Sequence, residues 1–324
     1  KNSTEAPLAL HSRKSLYRHY QNTIWKRGEN TMLEMGIKES WLEVNGVYIH
    51  CLTAGESGSP VVLLHSAGDS ATLSWSDAIK PLSAHHRVFA PDLPGYGLSD
   101  KSEHIAHTTD FYVDFVRQMA DMLHLDKVSL MGVSMGGGIA LSFALRFPER
   151  VEKLVLVDPY GIIDAKAWPA WMYQSLHYGI HYLPFISKFT YRSLGANRTI
   201  VRLQLMASGI FHHPERLPAR LIDQAYQHAQ IPEQGKAYVA WLQSEFLLNG
   251  PRTYLVDRLH EITMPTLIVT GEKDRVIPLA YVQKAQASMK NSQLYVLKNC
   301  GHWAQRERPE EFNQVVGKFL DELD

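Results

Sequence analysis

The sequence predicts an α/β protein: a mostly parallel sheet of eight strands with helices on both faces and an inserted helical block. Three observations carry this. Short apolar runs alternate with helix-forming stretches over residues 41–160, the pattern of parallel strands joined by covering helices. The alternation stops over 161–258, where helical stretches dominate, and resumes over 259–324. Between the run Val128–Met131 and a helix-forming stretch lies Gly132-Val133-Ser134-Met135-Gly136. That is strand, sharp turn and helix with a serine at the apex.

Composition narrows the class. Of 324 residues 45% are hydrophobic and 20% charged, which suits a globular chain with a sizeable core. Lys+Arg and Asp+Glu both number 33, so no basic excess points to nucleic acid or an anionic membrane. The apolar runs are too short for an integral membrane segment. The only cysteines, Cys51 and Cys300, offer neither a disulfide framework nor zinc spacing. Reduced thiols suit a cytoplasmic location, which is the expectation here. The chain opens at Lys1, so the sequence leaves open whether a leader precedes it.

Residues 1–40 read as an N-terminal extension. Leu16, Tyr17, Tyr20, Ile24 and Trp25 share helical spacing and are ringed by Arg and Lys. This amphipathic helix is expected to pack on the protein body, with a lipid surface or a homodimer contact as alternatives. From Trp41, two strands surround Asn45-Gly46, a hairpin signal. Further strands are expected at Pro60–Leu64, Arg87–Ala90, Val128–Met131, Lys153–Val157, Pro265–Gly271 and Leu294–Leu297. Helices are expected from Thr109 to Leu123, after Ser134 to near Pro148, and from Pro309 to Leu323.

A serine hydroxyl is a poor nucleophile until an oriented base takes its proton. Asp274 follows one late strand and His302 the next, giving the chain order Ser, Asp, His. Asp158, at the end of the Val155–Val157 run, competes for the role of orienting acid. Its alternative is to cap the turn before Pro159. Asp69 and Ser70 read as turn formers.

The pattern over about residues 41–324 resembles the α/β-hydrolase superfamily. The likeness rests on H-S-A-G at 65–68, D-L-P-G-Y-G-L-S at 92–99, G-V-S-M-G at 132–136, and the G-E-K-D-R-V-I-P and G-H-W segments. The resemblance implies Ser134 as nucleophile, His302 as general base and Asp274 as orienting acid. It implies an oxyanion hole from the backbone N–H groups of Ala67 and Met135, and residues 161–258 as a cap over the site. Relatives that use an aspartate nucleophile are set aside by Ser134. No metal and no cofactor are expected.

Residues 300–313, C-G-H-W-A-Q-R-E-R-P-E-E-F-N, resemble the C-terminal segment of the meta-cleavage-product hydrolases. Those enzymes cut carbon–carbon bonds in vinylogous diketone acids. Three departures stand against carrying the activity over. Val133 replaces the Asn usual before the serine, the oxyanion loop is His65-Ser66-Ala67-Gly68-Asp69, and Leu221–Tyr226 lacks the cap arginine. Arg192, Arg198, Arg202 and Arg220 are its candidate substitutes. On these departures the expected activity is hydrolysis of a small apolar carboxylic ester. Its pocket would be lined by Ser66, Trp168, Trp171, Tyr178, Val276 and Trp303. Carbon–carbon hydrolysis is the first alternative, and a non-turnover receptor on the same fold the second.

Overall fold

The computed structural model describes residues 36–322 except 103, 164–174, 176–178, 180–196 and 249. The amphipathic helix expected within residues 1–40 lies outside the described residues, as do Trp168, Trp171 and Tyr178.

The hairpin forms as expected but starts three residues early, inside the stretch assigned to the N-terminal extension. β1 (Lys38–Val44) and β2 (Val47–Ala54) pair antiparallel from Val44↔Val47 outward. Asn45 and Gly46 turn the chain at φ 49° and 76°. Both angles are positive, as a two-residue turn matched to strand twist requires. β3 (Pro60–Leu64), β4 (Arg87–Pro91), β5 (Val128–Val133) and β6 (Val151–Val157) follow. β7 (Phe246–Leu247) and β8 (Gly250–Pro251) form a small separate ribbon, which corrects the expectation of no strand between 161 and 258. β9 (Thr266–Gly271) and β10 (Ser292–Leu297) complete an eight-stranded sheet in the order β1-β2-β4-β3-β5-β6-β9-β10. β1–β2 and β2–β4 are antiparallel, and the other pairs in the sheet parallel.

The longer helices are α1 (Thr109–Met122), α2 (Met135–Arg146), α3 (Arg198–Ala207), α4 (Ala219–Ala229), α5 (Lys236–Glu245), α6 (Leu279–Ser288) and α7 (Pro309–Asp321). α1 starts where Thr108 accepts the Phe111 N–H on its hydroxyl. Replacing such a cap with Ala costs about 1 kcal/mol. Among the described residues, no helix is long and apolar enough to cross a membrane.

Alternation along the central strands builds two cores. Val62, Leu64, Leu130, Leu154 and Leu156 face one core with Tyr112, Phe115 and Phe143. Val61, Leu63, Met131, Val133, Val155 and Val157 face the other with Trp75 and Phe312. Burying each such aliphatic side chain contributes about 1.5–3 kcal/mol. A sheet apolar on both faces must be covered on both, which leaves the carboxyl ends of its parallel strands, and the loops leaving them, together along one edge.

The described part of the inserted block is tied to this body by buried polar groups. Arg306 reaches from a short helix (Ala304–Glu307) to Ser76 Oγ, Asp77 Oδ2 and Gln224 Oε1 of α4, each at 2.6 Å. Glu245, at the end of α5, is fully buried. It accepts from the N–H and hydroxyl of Thr109 and from the Thr253 N–H.

Candidate active site

Ser134 joins β5 to α2 at φ 52° and ψ −115°. A non-glycine residue persists there only when its surroundings over-determine it, at a cost of about 1–3 kcal/mol. They do. The Ser134 N–H donates to Val157 O at 2.9 Å, and its carbonyl accepts from the N–H groups of Gly138 at 3.0 Å and Tyr160 at 2.9 Å. The flanking glycines act through close approach. A Cβ on Gly132 would lie 2.1 Å from Gly136 O, and one on Gly136 would lie 2.1 Å from Leu64 O. Nothing larger than hydrogen fits between strand and helix, so the chain turns tightly and leaves Ser134 half-buried at the mouth of a cavity.

β9 and β10 deliver the other two groups. Asp274 and His302 are both buried, with His302 Nδ1 2.7 Å from Asp274 Oδ2. The second oxygen of Asp274 accepts from the N–H groups of Val276 at 2.6 Å and Ile277 at 3.0 Å. With these bonds Asp274 is an acceptor toward His302 Nδ1, so in the neutral ring Nδ1 carries the hydrogen and Nε2 the lone pair. His302 lines the same cavity as Ser134. Asp158 does not cap the turn before Pro159. It is fully buried behind the pair and accepts from the Thr270 hydroxyl at 2.5 Å.

The H-S-A-G loop is braced from below. His65 Nε2 accepts from the Leu93 N–H at 2.9 Å, and His65 Nδ1 donates to Ser66 O at 2.7 Å. Burial lowers the His65 pKa, which keeps the ring neutral and able to accept. The aspartate of D-L-P-G-Y-G-L-S works on the same brace. Asp92 accepts from the N–H groups of Ala71 and Leu98 and bonds His50 Nδ1 at 2.9 Å. Burial alone would raise its pKa, but His50, His65 and the Leu98 N–H together outweigh that and hold it down at about 2. Ser70 caps the short helix Ala71–Trp75 by accepting the Leu73 N–H. Asp69 is a helper of the same loop: it accepts from the Ser70 N–H and the Ser74 hydroxyl. Ala67 opens onto the cavity beside Ser134, and Met135 is the first residue of α2.

The cavity has a volume of about 450 Å³. Ser66, Val276 and Trp303 line it. The other aromatic side chains in its wall, among the described residues, are Tyr160, Tyr238, Trp241 and Phe246. Tyr238 and Trp241 stand three apart on α5, so helical spacing puts them on one face. That spacing is the signal the sequence offers for them, and the denser aromatics nearer residue 170 mask it. Among the described lining residues none is Lys, Arg, Asp or Glu. Of the candidate arginines, Arg198 pairs with Asp223 and Arg220 with Asp77. Neither they nor Arg202 line the described cavity, and Arg192 lies outside the described residues.

This geometry, a positive-φ serine between strand and helix facing a His–Asp pair from the last two strands, defines a class. The alpha/beta hydrolase fold family matches residues 59–309, and the chain belongs to it. Among similar proteins is a 2-hydroxy-6-oxononadienedioate/2-hydroxy-6-oxononatrienedioate hydrolase of Klebsiella pneumoniae subsp. pneumoniae. It is 34% identical over 84% of this chain and 90% of its own length. A 2-hydroxy-6-oxo-6-phenylhexa-2,4-dienoate hydrolase of Burkholderia cepacia is 32% identical over 84% and 91%. A serine hydrolase involved in carbazole degradation has a solved structure with TM-score 0.71 and 27% identity, covering 88% of this chain and 98% of that one.

These relatives overturn the expected ester hydrolase. The dienoates they are named for contain no ester linkage, so hydrolysing them cuts a carbon–carbon bond. The ester expectation rests on three local departures, and a likeness that covers 84% of the chain outweighs them. The serine turn does not discriminate, because both reactions begin with the same attack on a carbonyl. The relatives are enzymes, which leaves the receptor alternative without support.

Proposed function

We propose that the protein hydrolyses a carbon–carbon bond in a 2-hydroxy-6-oxo-dienoate, the first alternative that the sequence offers. The observation that carries this is the similarity to dienoate hydrolases at up to 34% identity over most of both chains. Ser134 is the nucleophile, His302 the general base and Asp274 the group that orients it. The N–H groups of Ala67 and Met135 form the oxyanion hole, and the described helices between β6 and β9 belong to a cap over the site. The substrate is a small molecule, and the protein needs no cofactor.

The chemistry follows from electron demand. His302 takes the Ser134 proton as Oγ adds to the C6 carbonyl, and the oxyanion hole holds the charge that develops on oxygen. Expelling C5 as a carbanion is prohibitive unless its electrons are delocalised. When the 2-hydroxy-dienoate stands as its 2-oxo tautomer, that oxo group is a conjugated sink and the leaving group is a dienolate. Imidazolium returns the proton. Water then attacks the acyl-enzyme, releasing a carboxylic acid and a 2-hydroxy-dienoate. A largely apolar cavity strengthens each of these electrostatic interactions.

The test is incubation with 2-hydroxy-6-oxo-6-phenylhexa-2,4-dienoate, following loss of its conjugated absorbance and release of benzoate. Ser134→Ala is expected to lower kcat about 10³-fold or more, since the triad acts as a unit. A wild-type protein that leaves this and related dienoates intact ends the proposal.

A further inference from the structure

Asp158 is a buried carboxyl group for which the reaction above has no use. It stands at the end of β6 with φ 42°, its N–H bonded to Val269 O at 3.1 Å. Its side chain is sealed from solvent. Oδ1 accepts from the Thr270 hydroxyl, whereas Oδ2 receives no hydrogen bond. Asp158, Asp274 and His302 bring one side-chain oxygen or ring nitrogen each to within 4.8 Å of one another. Two carboxyl groups thus share one dry compartment with one imidazole. The titratable groups that face Asp158 are Asp274 on the loop after β9, and Cys300 and His302 on the loop after β10. Among them there is no fixed cation, and burial pushes the Cys300 thiol up.

We propose that Asp158 carries a proton, aims that O–H at the Asp274 carboxylate, and so acts as a positioning residue for the Asp274–His302 pair. An ionised Asp158 would set a second buried negative charge against Asp274 with an oxygen left bare, and neither is tolerated in a dry interior. Burial, and then the charge of Asp274, push the Asp158 carboxyl well above the usual carboxylate range. The protonated form turns the bare oxygen into a donor. Asp274 then receives donors from Val276, Ile277, His302 and Asp158, which pins its plane and hence the imidazole ring. The arrangement resembles a carboxylate pair in which one member holds the proton so that the other can ionise.

The inference rests on Asp274 and His302 being the working pair, and its first two tests need no substrate. In infrared difference spectra at neutral pH, wild type is expected to show a protonated-carboxyl C=O band that Asp158→Asn lacks. No such difference overturns the proposal. In NMR, the titration midpoint of His302 is expected to stay within about 0.3 pH unit in Asp158→Asn, because one neutral group replaces another. A fall of about one unit would mean an anion had been removed, and would overturn it too. In turnover of the phenyl dienoate, Asp158→Ala is expected to lose about 10-fold in kcat while Asp158→Asn, which keeps a donor, stays within about 3-fold. Equal losses in both variants count against a donor role. A wild type inactive on dienoates would refute the proposed reaction, while the infrared and NMR outcomes would still decide the protonation of Asp158. Should Asp158→Ala fail to fold, the two Asn measurements still decide.

Discussion

One oxygen of Glu245 receives both the N–H and the hydroxyl of Thr109, at 3.0 and 2.8 Å. Glu245 closes α5 in the inserted block, and Thr109 opens α1 in the sheet-bearing body, so a single buried carboxylate joins the two. A carboxylate at a helix N-terminus is also favoured by the helix dipole. Glu245→Ala strands the donors of Thr109 and Thr253 in the interior. It should lower unfolding stability by roughly 2–4 kcal/mol, read from urea denaturation. A loss below about 0.5 kcal/mol, the range of ordinary surface changes, would show that the joint is dispensable.

The bond between His302 and Asp274 predicts a loss of rate without a loss of fold. Asp274→Asn presents an amide where the imidazole needs an acceptor, and the wrong tautomer follows. By analogy with other triads, kcat should fall about 10⁴-fold while thermal stability changes little. Stopped-flow turnover and calorimetry on one preparation read both. Retention of a tenth of the wild-type rate would remove Asp274 from its assigned role.

Tyr238 lines the cavity, and burial raises its hydroxyl pKa, so it remains a donor at neutral pH and above. Among the described residues its hydroxyl has no partner. Tyr238→Phe should leave folding intact and lower kcat/KM about 5- to 10-fold for dienoates carrying an acceptor on the acyl side, the worth of one neutral hydrogen bond. Phenyl and hydroxyphenyl substrates compared side by side would reveal this. An equal effect on both would make the residue a packing element only.

Acid should loosen the inserted block at His228. Its Nε2 lies 3.1 Å from Gly68 O, on the loop beside Ala67, and burial lowers its pKa from 6.5 to about 4 although the Gly68 carbonyl pulls the other way. With the folded pKa below the unfolded one, the unfolded chain binds more protons between those values. Stability therefore rises with pH across that window and is lost as pH falls through it. The full effect is roughly 3 kcal/mol. His228→Asn should flatten the slope of stability against pH between 4 and 6.5. An unchanged slope would place the acid sensitivity elsewhere.

Local physics explains what could be read directly from the chain. The strands of the sheet follow from apolar runs of the right length, and the first hairpin from Asn45-Gly46. Ser134, Asp274 and His302 could be picked out because each sits just past a strand, where loops of an open α/β sheet converge. Asp158 sits past a strand too, and only the third dimension shows that Asp274, rather than Asp158, meets Nδ1 of His302. The pocket wall was harder for a different reason. Helix aromatics such as Tyr238 and Trp241 serve packing as readily as binding, and periodicity does not say which face turns toward the serine. The reaction was hardest of all, because one nucleophile serves two kinds of bond.

His302 is fastened at both ends. Asp274 holds its ring, while its backbone N–H donates to Ile210 O, on the inserted block, at 2.6 Å. Gly301 permits that approach, since a Cβ there would lie 2.4 Å from the same oxygen. The inserted block therefore bears on the backbone that carries the base, so a change that shifts Ile210 reaches His302 without touching its ring.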